Sequence, residues 1–157
     1  MVLDPVLASS SGRALIAEEA VASLRRDLMP LCRLVTPNLI ELAALTGSAL
    51  AADESAACLQ GQELSRKVRI SVLVKGGHAL GSEAVDVLLQ PDRPALRLSA
   101  PRLPREMQGT GCMLSSAIAA CLALDQPLAN SVRRAKQMSS RGSATPCPPN
   151  RQREKVD

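Results

Sequence analysis

Val68-Arg69-Ile70-Ser71-Val72-Leu73-Val74, running straight into Lys75-Gly76-Gly77-His78, is the stretch that decides the architecture. The first seven residues are nearly continuous in apolar character. That is the pattern of a strand buried on both faces, as in the middle of a parallel sheet. Strand and helix patterns alternate around it. Upstream, apolar spacing predicts a helix over 13–28, ended by Pro30. Leu34-Val35 reads as a short strand, 38–46 as a helix stopped by Gly47, and 54–67 as another helix. Downstream, 85–89 and 96–99 read as two edge strands, and 113–124 and 128–138 as helices. Met1-Val2-Leu3 resembles the end of a buried strand, left through Asp4-Pro5. The alternation predicts an α/β fold with a mainly parallel sheet. Beyond Ser139 the chain turns to Ser, Gly, Pro, Asn and charge without apolar period. The expectation is a domain over 1–138 and a disordered tail over 139–157.

With 157 residues and 46% of them apolar, there is chain enough for one cored domain. Phe, Tyr and Trp are absent, so Leu, Val, Ile, Ala and Met must build that core. The net charge is +4, but the basic residues are scattered and the tail holds several: Arg141, Arg151, Arg153 and Lys155. Without a basic stripe or stacking aromatics, nucleic acid is not an expected partner. Five cysteines, no C-x-x-C and a single histidine, His78, signal neither a disulfide framework nor a zinc site. No apolar run reaches the roughly 18 residues of a membrane span, and no leader pattern is visible. Cytoplasmic localisation is therefore expected.

Ligands of such sheets sit beyond the carboxyl ends of the strands. Asp4, Asn38, Lys75 and Gly109 all follow a strand-like segment or open a helix, so one edge of the sheet is expected to gather them. Gly109-Thr110-Gly111-Cys112 precedes a small-residue helix pattern. Glycines there let backbone N–H groups and the positive end of a helix dipole approach an anion. Each feature also has a plain reading. Asn38 and Glu41 have capping-box spacing. Lys75 is a strand-end lysine. Asp4 precedes a proline, as turn residues do. Cys112 is a small apolar residue; at a helix start its thiol pKa is expected to fall.

Four motifs occur in order: Asp4-Pro5-Val6, Thr36-Pro37-Asn38-Leu39-Ile40-Glu41, Val74-Lys75-Gly76-Gly77-His78 and Gly109-Thr110-Gly111-Cys112. From about Val2 to Met138 this set resembles the hydroxymethylpyrimidine/phosphomethylpyrimidine kinases of thiamine biosynthesis. They belong to the ribokinase-like superfamily, beside the pyridoxal kinases. The resemblance implies the C-terminal portion of a three-layer α/β/α sandwich. It also implies ATP and Mg²⁺ as cofactors. The reaction would be phosphorylation of 4-amino-5-hydroxymethyl-2-methylpyrimidine and of its monophosphate. By resemblance the catalytic residues are Cys112, Gly109, Thr110, Gly111 and Lys75. Nucleotide falls to Asp4, Asn38, Glu41, Lys75 and Gly77. Glu41 and Asn38 order the metal's water shell. Lys75 acts as a point charge on the transferring group, and Cys112 is assigned to positioning the acceptor and to removing its proton. Asp86 matches a recurring family residue, and His78 contributes shape or a hydrogen bond. A small-molecule pyrimidine is the implied partner, and homodimers are an assembly the family often uses.

The family's N-terminal section, which carries the first strands and most of the pyrimidine pocket, has no counterpart before Asp4. An unpaired sheet edge and exposed apolar faces are expected, and the 157-residue chain alone is not expected to phosphorylate the alcohol. An inactive remnant, a phosphate-gripping module and a pyridoxal-type paralogue stay open as alternatives.

Overall fold

The computed structural model describes residues 1–7, 15–76, 83–101 and 110–141, the side chains of Glu18, Thr110, Ser140 and Arg141 aside. Strand β1 is Val2–Leu3, helix α1 is Glu18–Ser23 and β2 is Leu34–Val35. Then come α2 (Leu39–Thr46), α3 (Glu54–Val68) and β3 (Ser71–Lys75). The chain closes with β4 (Glu83–Gln90), β5 (Arg93–Pro101), α4 (Thr110–Ala123) and α5 (Leu128–Arg141).

The five strands lie in sequence order, β1-β2-β3-β4-β5. The first three are parallel, joined by helical crossovers. β4 and β5 are antiparallel. The expected mainly parallel character therefore holds for β1 to β3, and the sheet as a whole is mixed. Side chains along it alternate between two cores, as the two-residue strand period requires. Val35, Val72, Val74, Val87 and Leu89 face Leu42, Leu45, Ala57 and Leu64 on α2 and α3, with Val21 of α1 packed alongside. Leu34, Leu73 and Leu88 face Leu114 and Ile118 of α4, and Leu128 and Val132 of α5. Helices on both faces make three layers.

The local signals act where expected at several ends. Asn38 and Glu41 form a complete capping box on α2, and Gly47 closes it in the left-handed region at φ 70°. Asp53 caps α3 through a 2.8 Å bond from the Ala56 N–H.

Several boundaries differ from the sequence reading; among them α4 opens at Thr110, three residues before the expected start, and β5 spans Arg93–Pro101 rather than 96–99. Val68 ends α3 and does not open a strand. Arg69 turns left-handed at φ 58°, its N–H donates to Ser65 O, and the Ser65 hydroxyl donates to Ile70 O at 2.6 Å. That cap overrides the apolar run, and the strand starts at Ser71. Among the described residues, the predicted helix over 13–28 is α-helical only in α1. It continues as a π-turn over Leu24–Leu28 and a 3₁₀ turn over Met29–Leu31. Pro30 does not end the helical path, because proline is tolerated in the opening turn of a new helix. Last, α5 runs to Arg141, so 139–141 are helical; 142–157 lie outside the described residues. Among the described residues no helix is long and apolar enough to cross a membrane.

Packing predicts a sharp contrast between two leucines. Leu73 is fully buried at the centre of the sheet, whereas Leu59 on α3 is 73% exposed. In urea unfolding, Leu73→Ala should cost about 2–5 kcal/mol, and Leu59→Ala less than about 0.5 kcal/mol.

Candidate active site

The carboxyl ends of β1, β2 and β3 open toward the start of α4. Asp4 follows β1, Thr36 follows β2, and Lys75 is the last residue of β3. Parallel pairing sets Leu3 beside Val35 and Val35 beside Val72, and an isolated bridge three residues further on pairs Asn38 with Lys75. The Lys75 N–H donates to Pro37 O at 2.8 Å.

Lys75 is the hub. Its Nζ donates to Asp4 Oδ1 at 2.8 Å and lies 3.9 Å from Glu41 Oε2. The Lys75 and Asp4 side chains are only 12% and 15% exposed. A pair so shielded from water is worth little net, but removing one partner strands the other charge, at about 3–5 kcal/mol. A Cβ on Gly111 would sit 3.2 Å from Lys75 Nζ. The absent side chain is thus what lets the first turn of α4 come down on the ammonium. The first N–H groups of α4 have no intrahelical acceptor, so a cation and a helix start face the same space.

Glu41 and Asn38 are bonded twice. Glu41 Oε2 accepts the Asn38 N–H at 2.7 Å, while the Glu41 N–H donates to Asn38 Oδ1 at 2.9 Å. The carboxylate is buried, which pushes its pKa up; the Asn38 N–H and the Lys75 charge only partly offset this.

Asp86 on β4 faces Lys75 across the ladder. Its Oδ1 accepts the Gly76 N–H at 3.2 Å, and its Oδ2 accepts Lys136 Nζ of α5 at 2.7 Å. Gly76 also donates to Val85 O, and any Cβ there would collide with that carbonyl. Asp86 thus braces the turn that follows Lys75.

The structure therefore brings together Asp4, Asn38, Glu41, Lys75, Gly111 and Cys112. Gly77, His78 and Gly109 lie outside the described residues, and Thr110 is described by its backbone alone, as the first residue of α4. One expectation reverses. The Cys112 thiol is pushed up, not down: hydrogen bonding to the Asp4 carboxylate, burial and that carboxylate's charge outweigh the attraction of Lys75. A helix start favours thiolate only where no carboxylate shares the site. Two residues escaped the sequence reading: Thr36 and Ser115, which hydrogen-bond each other at 2.9 Å. Thr36 opens the second of the four motifs, but no role was assigned to it. The one signal for Ser115 was its place four residues after Gly111 on a small-residue helix.

The phosphomethylpyrimidine kinase family model matches residues 1–157, the whole chain. The chain belongs to that family. It is 47% identical over 136 residues to a hydroxymethylpyrimidine/phosphomethylpyrimidine kinase of Rhizobium meliloti, covering 86% of this chain and 51% of the relative. The crystal structure of phosphomethylpyrimidine kinase from Clostridium difficile 630 superposes with a TM-score of 0.72 at 32% identity, over 90% of this chain and 56% of that one. An ADP complex of Bacillus subtilis pyridoxal kinase gives a TM-score of 0.76 at 26% identity, over 87% and 50%. The fold is the ribokinase-like sandwich, and the chain spans about half the length of these relatives.

Two substitutions test the electrostatics. The folded state holds the Glu41 proton more tightly than the unfolded chain does, so ionising Glu41 costs stability as pH rises above the unfolded pKa. Glu41→Gln keeps a capping side chain. Its melting temperature should equal or exceed that of the parent at pH 8, with the gap closing toward pH 4. Asp4→Asn removes the main cause holding the Cys112 thiol up. Peptide-resolved alkylation at pH 7.5 should then label Cys112 faster than in the parent chain.

Proposed function

We propose that this chain provides the phosphate-binding, phosphoryl-transfer part of an ATP-dependent kinase. Its acceptor would be the hydroxymethyl group of 4-amino-5-hydroxymethyl-2-methylpyrimidine, and then the resulting monophosphate, in thiamine biosynthesis. One observation carries the reading: the Lys75 ammonium, held by Asp4 and faced by Glu41, stands against the first turn of α4 at Gly111.

Phosphoryl transfer asks a protein mostly for positioning and charge neutralisation. Lys75 would turn its ammonium from Asp4 to the nucleotide phosphates, the transferring group included. The N–H groups opening α4, at the Gly109-Thr110-Gly111-Cys112 motif, would take charge on the phosphate oxygens. Cys112, its thiol biased toward the protonated form, would hold the acceptor hydroxyl in place rather than take its proton. The second acceptor is a phosphate, already ionised, and needs little base help.

Mg²⁺ on the nucleotide phosphates supplies further charge neutralisation when bound. The residues suit a hydrated ion. Among the described residues no three His, Cys, Asp or Glu side chains gather to cage a metal directly. A single buried carboxylate, Glu41, already oriented by Asn38, suits an ion that keeps its waters. The identity to the Rhizobium meliloti kinase, 47% against 26% for the pyridoxal kinase, favours a pyrimidine acceptor over pyridoxal. A small-molecule kinase of this kind would work in the cytoplasm.

Calorimetric titration with ADP and Mg²⁺ tests this. The parent chain should bind, and Lys75→Met should weaken binding by about tenfold or more, the scale of a lost hydrogen bond to a charged group. No heat of binding at roughly 1 mM nucleotide, or equal binding by Lys75→Met, would overturn the reading.

A further inference from the structure

The hydroxyls of Thr36 and Ser115 are buried between β2 and α4, and both residues are under 10% exposed. Thr36 Oγ1 lies 3.2 Å from Asp4 Oδ1, 2.9 Å from Ser115 Oγ and 3.4 Å from Leu3 O. Ser115 Oγ lies 3.0 Å from Gly111 O. Asp4 Oδ1 is also the oxygen that Lys75 holds.

Two hydroxyls carry two protons, which limits the arrangements. In one, Ser115 donates to Thr36 and Thr36 donates to Asp4. In a second, Ser115 donates to Thr36 and Thr36 donates to Leu3 O; in a third, Thr36 donates to Ser115 and Ser115 donates to Gly111 O. Pointing both protons outward would leave two oxygens 2.9 Å apart with no proton between them. In each of the three arrangements, one proton lies between the two hydroxyls. While Lys75 is on Asp4, the carboxylate has its cation. Once Lys75 leaves, a buried carboxylate is short of donors, and that is costly. Only the first arrangement supplies one, beside the weak thiol donor of Cys112.

We propose that Thr36 and Ser115 form a two-hydroxyl relay that re-aims its protons onto Asp4 when Lys75 leaves that carboxylate for an anionic ligand. They are positioning residues, and they set how tightly the site takes phosphate. This rests on the phosphate-binding reading above.

The test is calorimetric titration of the full chain with ADP and Mg²⁺, with thermal melts run alongside. Thr36→Val keeps the shape and loses the hydroxyl; it should weaken ADP by about tenfold. Thr36→Ser should bind within about threefold of the parent, since it restores the donor. Ser115→Ala should weaken ADP about threefold with its melting temperature kept. Equal weakening by Thr36→Ser and Thr36→Val would assign the effect to packing and overturn the relay. Parent-like affinity in Thr36→Val, or in Ser115→Ala should the valine variant fail to fold, would overturn it while Lys75→Met still upholds the functional reading. Absence of ADP binding by the parent chain would overturn both.

Discussion

The ion pair between Lys75 and Asp4 is the contact on which the rest depends. It joins residues 71 apart in sequence through one 2.8 Å bond. Everything that makes the site follows from holding these charges at the ends of β1 and β3, away from bulk water. The parallel register delivers the two backbones, and α4 covers them because Gly111 has no side chain in the way. Shielding raises the stake of every nearby charge. Burial makes Glu41 costly to ionise and gives two small hydroxyls electrostatic weight, while the bond to the Asp4 carboxylate biases Cys112 toward its thiol form.

The capping box on α2 illustrates how one local device serves two ends. The bonds between Asn38 and Glu41 fix the start of a short helix, and by doing so they fix a carboxylate 3.9 Å from the ammonium. A carboxylate on a free rotamer would lose side-chain entropy each time it engaged a ligand. Here the helix start has already ordered it. The plain reading and the functional reading of this motif are the same geometry seen from opposite sides.

The sequence showed the layered architecture because the strand period of two separates Leu34, Leu73 and Leu88 from Val35, Val72 and Val74. It also showed the residues that converge, since each closes a strand or opens a helix. It misplaced the start of β3, because the left-handed cap at Arg69 depends on a side-chain bond from Ser65 that hydrophobicity cannot reveal. It misjudged the Cys112 thiol for a similar reason. The helix start was readable along the chain, whereas Asp4 reaches it only through the fold. Thr36 and Ser115 are 79 residues apart, and no local pattern links them.

The buried bond from Lys136 to Asp86 gives the last described helix an unexpected constraint. Lys136 stands past the middle of α5, and its partner also holds the backbone of Gly76. Each residue added to a helix turns everything after it by about 100°. A single insertion early in α5 would swing Lys136 off its partner and leave two charges unmatched beside the end of β3. The outer surface of α5 is open to drift in sequence, but its length up to Lys136 is not. The helix works as a gauge rod whose count of residues is set by the loop at the far end.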